Sequence, residues 1–361
     1  MIIILIGTRA QIIKMAPVML ELERRKFPYI FILSGQHQHT MDKLIADFGI
    51  ATTPIYLYKG KEVDSIARVP AWFLTCLFSF LKLKRENSIS LDNTGNIMLV
   101  HGDTFSTLLG AIIARTTGLK LAHIEAGLRS FNFLHPFPEE LTRLAIFRLS
   151  DISYCPGDFA LANMSRYKSH NVNTFHNTLL DSISLVLTNT RIDSAYEPDY
   201  CVCSLHRFEN IFFRKRLTRI IDQLETVSAS MKIKFVLHPS TRKRLIKYNL
   251  FERISGNAAI ELLDRMNYTD FIRLLAKSAF VITDGGSNQE ELYYMGKPTL
   301  LMRSHTERTE GLSSTTLLSS YDQDTINRFV REYKKFRKDN PLTGTEISPS
   351  SVIVDHLQSL R

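Results

Sequence analysis

The most reactive-looking residues of this chain stand just after short apolar runs. Gly7-Thr8-Arg9 follows Ile2–Ile6 and opens a helical stretch that carries Lys14. A glycine turn, free helix-start N–H groups and a guanidinium fork together suit an anionic oxygen. The plainer reading is a turn glycine beside a surface arginine. His101-Gly102-Asp103-Thr104 follows Asn96–Val100. Asp103 is either an N-cap or an acid at a strand end. His123-Ile124-Glu125-Ala126-Gly127-Leu128-Arg129 follows Lys120–Ile124. Glu125 there is either half of a buried ion pair with Arg129 or an acid poised for proton transfer. Pro136-Phe137-Pro138-Glu139-Glu140-Leu141-Thr142-Arg143 reads as a helix start, because prolines and acids favour a first turn. The i,i+4 spacing of Glu139 and Arg143 also predicts a shared face.

The second half repeats the pattern. His206-Arg207 leaves a strand in Ser204-Leu205-His206-Arg207-Phe208-Glu209-Asn210, a natural contact for a diphosphate. Thr283-Asp284-Gly285-Gly286-Ser287-Asn288-Gln289-Glu290-Glu291 runs from a strand through a Gly-Gly-Ser turn into a helix. The N–H groups of such a turn cradle phosphate. Glu291, one turn in, is placed for two ribose hydroxyls. Neither a Walker Lys-Ser/Thr pair nor a G-x-G-x-x-G is present, which disfavours P-loop NTPases and dinucleotide enzymes.

These loops need strands and helices to hold them. Apolar runs at Ile2–Ile6, Tyr29–Leu33, Asn96–Val100 and Lys120–Ile124 predict strands in the first half. Asp199–Ser204, Lys232–Leu237, Ala258–Leu263, Phe280–Thr283 and Thr299–Met302 predict them in the second. Helical stretches alternate with the strands, from Gln11–Lys26 and about Thr40 to Thr104–Thr117 and Glu139–Leu149. The expected fold class is α/β, with two Rossmann-like domains whose parallel sheets face a central cleft. The domains are expected at 1–172 and 173–348, with a last helix near 349–361 packing back on the first. Two phosphate-grade loops, one per half, and several acids in the first half suit an enzyme acting on a nucleotide sugar.

Composition sets the outer limits. The 361 residues are 44% hydrophobic and 22% charged, which excludes a disordered or collagen-like chain. The net charge of +9 admits nucleic acid, an anionic membrane or an acidic small molecule as partner. The four cysteines form no C-x-x-C pair, so no zinc ribbon or thioredoxin motif is read, and a reducing compartment is expected. The first residues read as a strand rather than a signal peptide. Val69–Leu83 is nearly all apolar but short for a bilayer span. It reads as a buried or interface helix. The other reading is a helix lying in a membrane surface, anchored by Trp72 and a basic flank.

The chain resembles the UDP-N-acetylglucosamine 2-epimerases, above all the non-hydrolysing branch. The resemblance runs through GTRAQIIKMAPV, SGQHQHTMD, VHGDTFSTLLGAIIA, HIEAGLRS, PFPEELTR, HNTLLD, HRFEN, LHP and VITDGGSNQEELYYMGKPTLLMRSHTERTEG, in order. It implies a fold of glycosyltransferase-B type and inversion at C2 of an amino sugar, with UDP leaving and returning through a glycal. It implies Asp103, Glu125 and Glu139 as catalytic acids, and His206 near the diphosphate. Arg9, Lys14, the Gly286–Ser287 turn and Glu291 match the nucleotide-binding positions. Tyr268 and Phe271 fit the spacing of the aromatic residues that pack uracil. Arg129 and Arg143 join the expected substrate contacts. No cofactor and no metal are expected. A homodimer, a cytoplasmic location and a role in surface polysaccharide synthesis follow from the resemblance alone. The sequence departs from the pattern where Ala10-Gln11 replaces Pro-Glu, where Gly285-Gly286-Ser287-Asn288 replaces Ser-Gly-Gly-Ile, and where His176 replaces glycine. Remaining alternatives are a hydrolysing epimerase, a glycosyltransferase of the same fold and a binding protein without catalysis. A nucleic-acid binder lacks any recognised motif.

Overall fold

The computed structural model describes residues 1–37, 41–60, 62–63, 66–86, 95–132, 138–188, 198–306, 308–344 and 347–360. Parts of three expected motifs lie outside the described residues: Pro136 and Phe137, residues 38–40 of SGQHQHTMD, and Glu307 in the last.

The chain divides into two units, Met1–Ser182 with Glu346–Arg361, and Ile183–Thr345. It passes from one to the other inside the helix Leu179–Thr188.

The first unit holds a seven-stranded sheet of β1 (Ile2–Ile6), β2 (Tyr29–Leu33), β3 (Ile55–Tyr56), β4 (Ile97–His101), β5 (Lys120–Ile124), β6 (Ile152–Cys155) and β7 (His170–Asn173). Its order is β3-β2-β1-β4-β5-β6-β7, and every pairing is parallel. The runs IIILI and IMLVH are wholly buried, as central parallel strands covered on both faces must be.

The second unit repeats the winding with β8 (Tyr200–Ser204), β9 (Lys232–Leu237), β10 (Ile260–Asp264), β11 (Val281–Thr283), β12 (Thr299–Leu301) and β13 (Thr316–Leu318). Its order is β10-β9-β8-β11-β12-β13, again all parallel. The sequence reading passes over β3, β6, β7 and β13. In each sheet the order reverses beside the first strand, between β1 and β4 and between β8 and β11. Ligand crevices form at such a reversal, at the carboxyl ends of the strands.

The helix Val69–Arg85 packs Trp72, Cys76 and Phe80 into the core of the first unit. Trp72 is 2% exposed, and its indole N–H donates to the Ser34 carbonyl at 2.9 Å. It therefore cannot anchor a membrane surface: the reading as a buried helix holds, and the alternative of a Trp72-anchored surface helix falls. Leu74, Phe78 and Leu81 stand exposed on the opposite face. Among the described residues no helix is long and apolar enough to cross a membrane. The helix Pro349–Ser359 belongs to the first unit. Ser350 N donates to Asp181 at 2.7 Å, Arg25 pairs with Asp355, and Tyr154 Oη meets His356 Nδ1 at 3.0 Å.

Candidate active site

In the first unit the β1 loop is bound to the end of β4. Thr8 caps the helix Arg9–Arg24 and forms a reciprocal capping box with Gln11. Gln11 Oε1 accepts from Gly7 N at 2.8 Å, and its Nε2 donates to the His101 carbonyl at 2.7 Å and to Thr107 Oγ1 at 3.0 Å. A glutamate could not make those two donations. Gly7 has no room for a side chain, because a Cβ would collide with Ser106 and Ser34. Arg9 is half-buried at the helix start. It acts on His37, whose imidazole is pushed down by burial, raised by Glu62 and lowered by Arg9.

Glu125 sits just past β5 with φ 68°, a left-handed backbone that only a constrained site holds for glutamate. Its carboxylate pairs with Lys14 and accepts from Asn177 Nδ2 at 2.6 Å. Its second oxygen lies 3.4 Å from His101 Nε2. Gly102, at φ 71°, takes the left-handed backbone beside this carboxylate that favours glycine. Burial drives His101 down to about 3, against the pull of Glu125, and drives His123 down to about 4. Both rings are therefore neutral near pH 7, and His123 Nε2 donates to the Gly102 carbonyl at 2.7 Å.

Asp103 is free of capping duty, because Thr104 caps the helix Phe105–Thr117. It pairs instead with Arg143 at 2.6 Å. Arg143 also reaches Glu140 Oε2 at 3.2 Å. Burial lowers the Arg143 pKa, but Asp103, Glu125 and Glu140 outweigh it and raise it. Glu140 is fully buried and takes Arg129 Nε and Ser130 N as well. Burial raises its carboxyl and Arg129 lowers it, with a net shift down. The i,i+4 pair expected for Arg143 and Glu139 is thus replaced by pairs with Glu140 and Asp103. The Glu125–Arg129 ion pair is likewise replaced, because Arg129 turns to Glu140. Glu139 keeps a buried Oε2 with no hydrogen-bond partner among the described residues.

In the second unit the fixed point is Asp284, fully buried after β11. It accepts from His206 N at 3.0 Å, Arg207 N at 3.0 Å and Asn210 Nδ2 at 2.9 Å. Asn210 is held in turn by Tyr321 Oη at 2.7 Å. The turn after β8 is thereby locked to the β11 loop, with the His206 side chain 41% exposed. The helix Gly286–Tyr294 begins after Gly285 with no side-chain cap, so its first N–H groups meet none from the cap residue. Ser287 is exposed there. Arg308 and Arg207 flank this terminus: a Cβ on Gly286 would stand 3.1 Å from Arg308 Nε and 3.6 Å from Arg207 Nη2. Arg308 pairs with the buried Glu290 at 2.6 Å. Glu291 is buried, with Asn288 Nδ2 donating to its Oε2 at 2.8 Å. Phe271 is half-buried on the helix Tyr268–Ala276, whereas Tyr268 is in the interior. Two arginines around an open helix start make an anion seat.

Each unit thus gathers its charged residues where its sheet order reverses. The first unit brings together Lys14, Glu125, Asp103 and Arg143, with Arg9 at the start of the helix that carries Lys14 and Glu139 beside Glu140. The second assembles His206, Gly286, Ser287 and Glu291. The sequence reading passes over Glu140, Asn177, Asp284 and Arg308. All four stand inside motifs of the resemblance, PFPEELTR, HNTLLD, the glycine turn and TERTEG, but none is singled out there. Among the described residues no three His, Cys, Asp or Glu side chains are grouped to hold a metal ion.

Two parallel-sheet α/β units wound in this order define a fold of the glycosyltransferase-B type, and comparison with known proteins narrows it. The family model described as UDP-N-acetylglucosamine 2-epimerase matches residues 20–346. A Methanococcus maripaludis homologue of UDP-N-acetylglucosamine 2-epimerase is 33% identical over 99% of both chains. The UDP-2,3-diacetamido-2,3-dideoxy-D-glucuronate 2-epimerase of Pseudomonas aeruginosa is 30% identical over 86% of this chain and 85% of its own. The solved UDP-GlcNAc 2-epimerase of Methanocaldococcus jannaschii superposes with a TM-score of 0.80 at 25% identity, covering 99% of each chain. The chain belongs to the UDP-N-acetylglucosamine 2-epimerase family, whose members are UDP-sugar 2-epimerases, a class of isomerase.

Proposed function

We propose that the chain reversibly inverts C2 of UDP-N-acetylglucosamine to give UDP-N-acetylmannosamine by eliminating and re-adding UDP. A carboxylate takes the C2 proton while the C1–O bond breaks. That electron pair leaves on the β-phosphate oxygen, and C1=C2 remains as a glycal. UDP then re-adds at C1 while an acid returns a proton to the opposite face of C2. The C2 proton is weakly acidic, so the base needs an oxygen not already committed to a cation. The unpartnered buried Oε2 of Glu139 is the observation that carries this reading. Asp103 and Glu125, each held by a cation, place the remaining charges. In the second unit His206 and the N–H groups at Gly286 and Ser287 steady the leaving diphosphate, and in the first Arg9 and Lys14 supply cationic charge for the substrate. Arg143 holds Asp103, and Arg129 reaches the site only through Glu140. Glu291 takes the ribose hydroxyls, and Phe271 the uracil face.

The test is proton NMR of UDP-N-acetylglucosamine with the protein in deuterated water. Deuterium at C2 and a second UDP-sugar are the expected result. Equimolar free UDP and N-acetylmannosamine would make it a hydrolysing epimerase, and turnover only with an added acceptor a glycosyltransferase. The diacetamido-glucuronate sugar is run in parallel, because a relative is named for it. We also propose a cytoplasmic homodimer serving surface polysaccharide synthesis, with Leu74, Phe78 and Leu81 covered by the second copy. Light scattering at the monomer mass would refute the dimer.

A further inference from the structure

Asn177 stands between Glu125 and the start of the helix through which the chain leaves the first unit. Its Nδ2 donates to Glu125 Oε1 at 2.6 Å, and its Oδ1 accepts Leu179 N at 3.1 Å. One amide therefore uses both of its ends, one on the acid and one on the helix Leu179–Thr188. The side chain is buried, 4% exposed, so water does not readily substitute for either bond. The turn before it is set by Thr174, whose hydroxyl donates to the His176 carbonyl at 2.9 Å while His176 N donates to the Thr174 carbonyl at 2.7 Å. Phe175, at φ 63°, is the left-handed residue inside that turn.

We infer that Asn177 is a positioning residue for the epimerisation. It fixes the Glu125 carboxylate and ties its orientation to the helix connecting the two units. This rests on the reading of Glu125 as an acid of the active site. The donation matters because Glu125 sits in a backbone conformation that glutamate adopts reluctantly. Lys14 is a single flexible ammonium and defines one direction only. The planar amide supplies a second fixed direction at the same oxygen. Neutral His101 faces the other oxygen, and the charges of Lys14 and Arg143 with neutral His123 complete the groups acting around the acid. A change at the start of the connecting helix would therefore reach the acid through one side chain.

Asn177→Asp separates the two roles. Aspartate still accepts Leu179 N, and caps helices well, but it cannot donate to Glu125. The expected result is a kcat lower by about 10- to 100-fold with KM within about threefold, and a melting temperature that falls near pH 7 and recovers near pH 5, where the second carboxyl is protonated. The acidic limb of the kcat–pH profile should also move up by about one unit, because two adjacent carboxylates compete for a proton. Wild-type kcat and an unmoved profile in Asn177→Asp would overturn the inference and leave Asn177 as a helix cap. Asn177→Ala, which removes both bonds, should lose melting temperature as well as kcat. A second readout is independent of turnover. The side-chain 15N amide resonance of Asn177 should shift in Glu125→Gln, and an unshifted resonance would also overturn the inference. If the wild-type protein leaves every UDP-sugar unchanged while that resonance does shift, the functional reading fails and only the structural tie between Asn177 and Glu125 stands.

Discussion

At the reversal between β1 and β4, carboxylates are gripped by cations inside a mostly dry unit. At the equivalent reversal between β8 and β11, a buried carboxylate, Asp284, grips backbone N–H groups, and Arg207 and Arg308 flank a helix start. Both sheets have the same winding, so the winding supplies only the place. In the first unit Lys14, Arg143 and Arg129 neutralise Glu125, Asp103 and Glu140, and among the described residues the Glu139 Oε2 finds no hydrogen-bond partner. That suits proton transfer, where charge must stay nearly balanced. In the second, Asp284 spends its charge on the turn of His206 and Arg207, and the helix start at Gly286 stays open. That suits holding an anion. On the proposed function, the contrast divides labour: proton transfer in the first unit, nucleotide binding in the second.

Glu139→Gln offers the strongest way to break this contrast. Turnover should fall about a thousandfold while UDP affinity by calorimetry stays within about threefold. Asp103→Asn and Glu125→Gln should each lower turnover by about two orders of magnitude with UDP still bound. A matching loss of UDP affinity in all three would erase the division. The neighbouring substitution, Glu140→Gln, should behave in the opposite way. It strips Arg129 and Arg143 of their buried partner, at a cost of about 3–5 kcal/mol. Scanning calorimetry should show that loss as a lower melting temperature before any selective loss of turnover.

Acid should discriminate between the units next. His101 and His123 are held near 3 and 4, while an unfolded histidine titrates near 6.5. Their folded pKa values are depressed, so the unfolded chain binds protons that the folded one refuses. The stability they contribute is present above about pH 6.5 and lost as pH falls towards 4. Melting curves at pH 7.5, 5.5 and 4.5 should show the first unit softening, and His123→Gln should flatten its slope. An equal or greater acid loss in the second unit would contradict the assignment. The smallest effect is expected for His206→Ala, whose side chain is largely exposed. UDP affinity should fall about tenfold, with the stability of both units unchanged.

The strands that read clearly were those with unbroken apolar runs, such as IIILI and KIKFVL. β6 (ISYC) and β7 (HNVN) did not, because polar side chains interrupt a four-residue strand and leave no period to read. Most of the site loops were legible because glycines and charged residues cluster after strands. The partners were not. PFPEELTR places two acids side by side, and only packing decides that Glu140 turns inward to two arginines while Glu139 stays unpaired. Gln11 looks like the loss of an acid, yet its amide makes two donations that an acid could not. Asn177 stands in HNTLLD, but nothing there points to its partner, which lies 52 residues away in sequence. Trp72 suggested an interface by its type, and the Ser34 carbonyl explains why it is buried instead.

The return of the helix Pro349–Ser359 to the first unit bears on how the molecule is made. Synthesis runs from the first residue, so the strands of the first sheet emerge before any of the second. The surface of that early unit which takes Ile353, Val354 and Leu357 stays open until more than 160 further residues have been translated. During that interval the second unit is being made while the first stays unfinished. A ribosome stalled shortly before residue 349 would therefore present a sticky, chaperone-seeking particle, whereas one stalled after the helix has emerged would not.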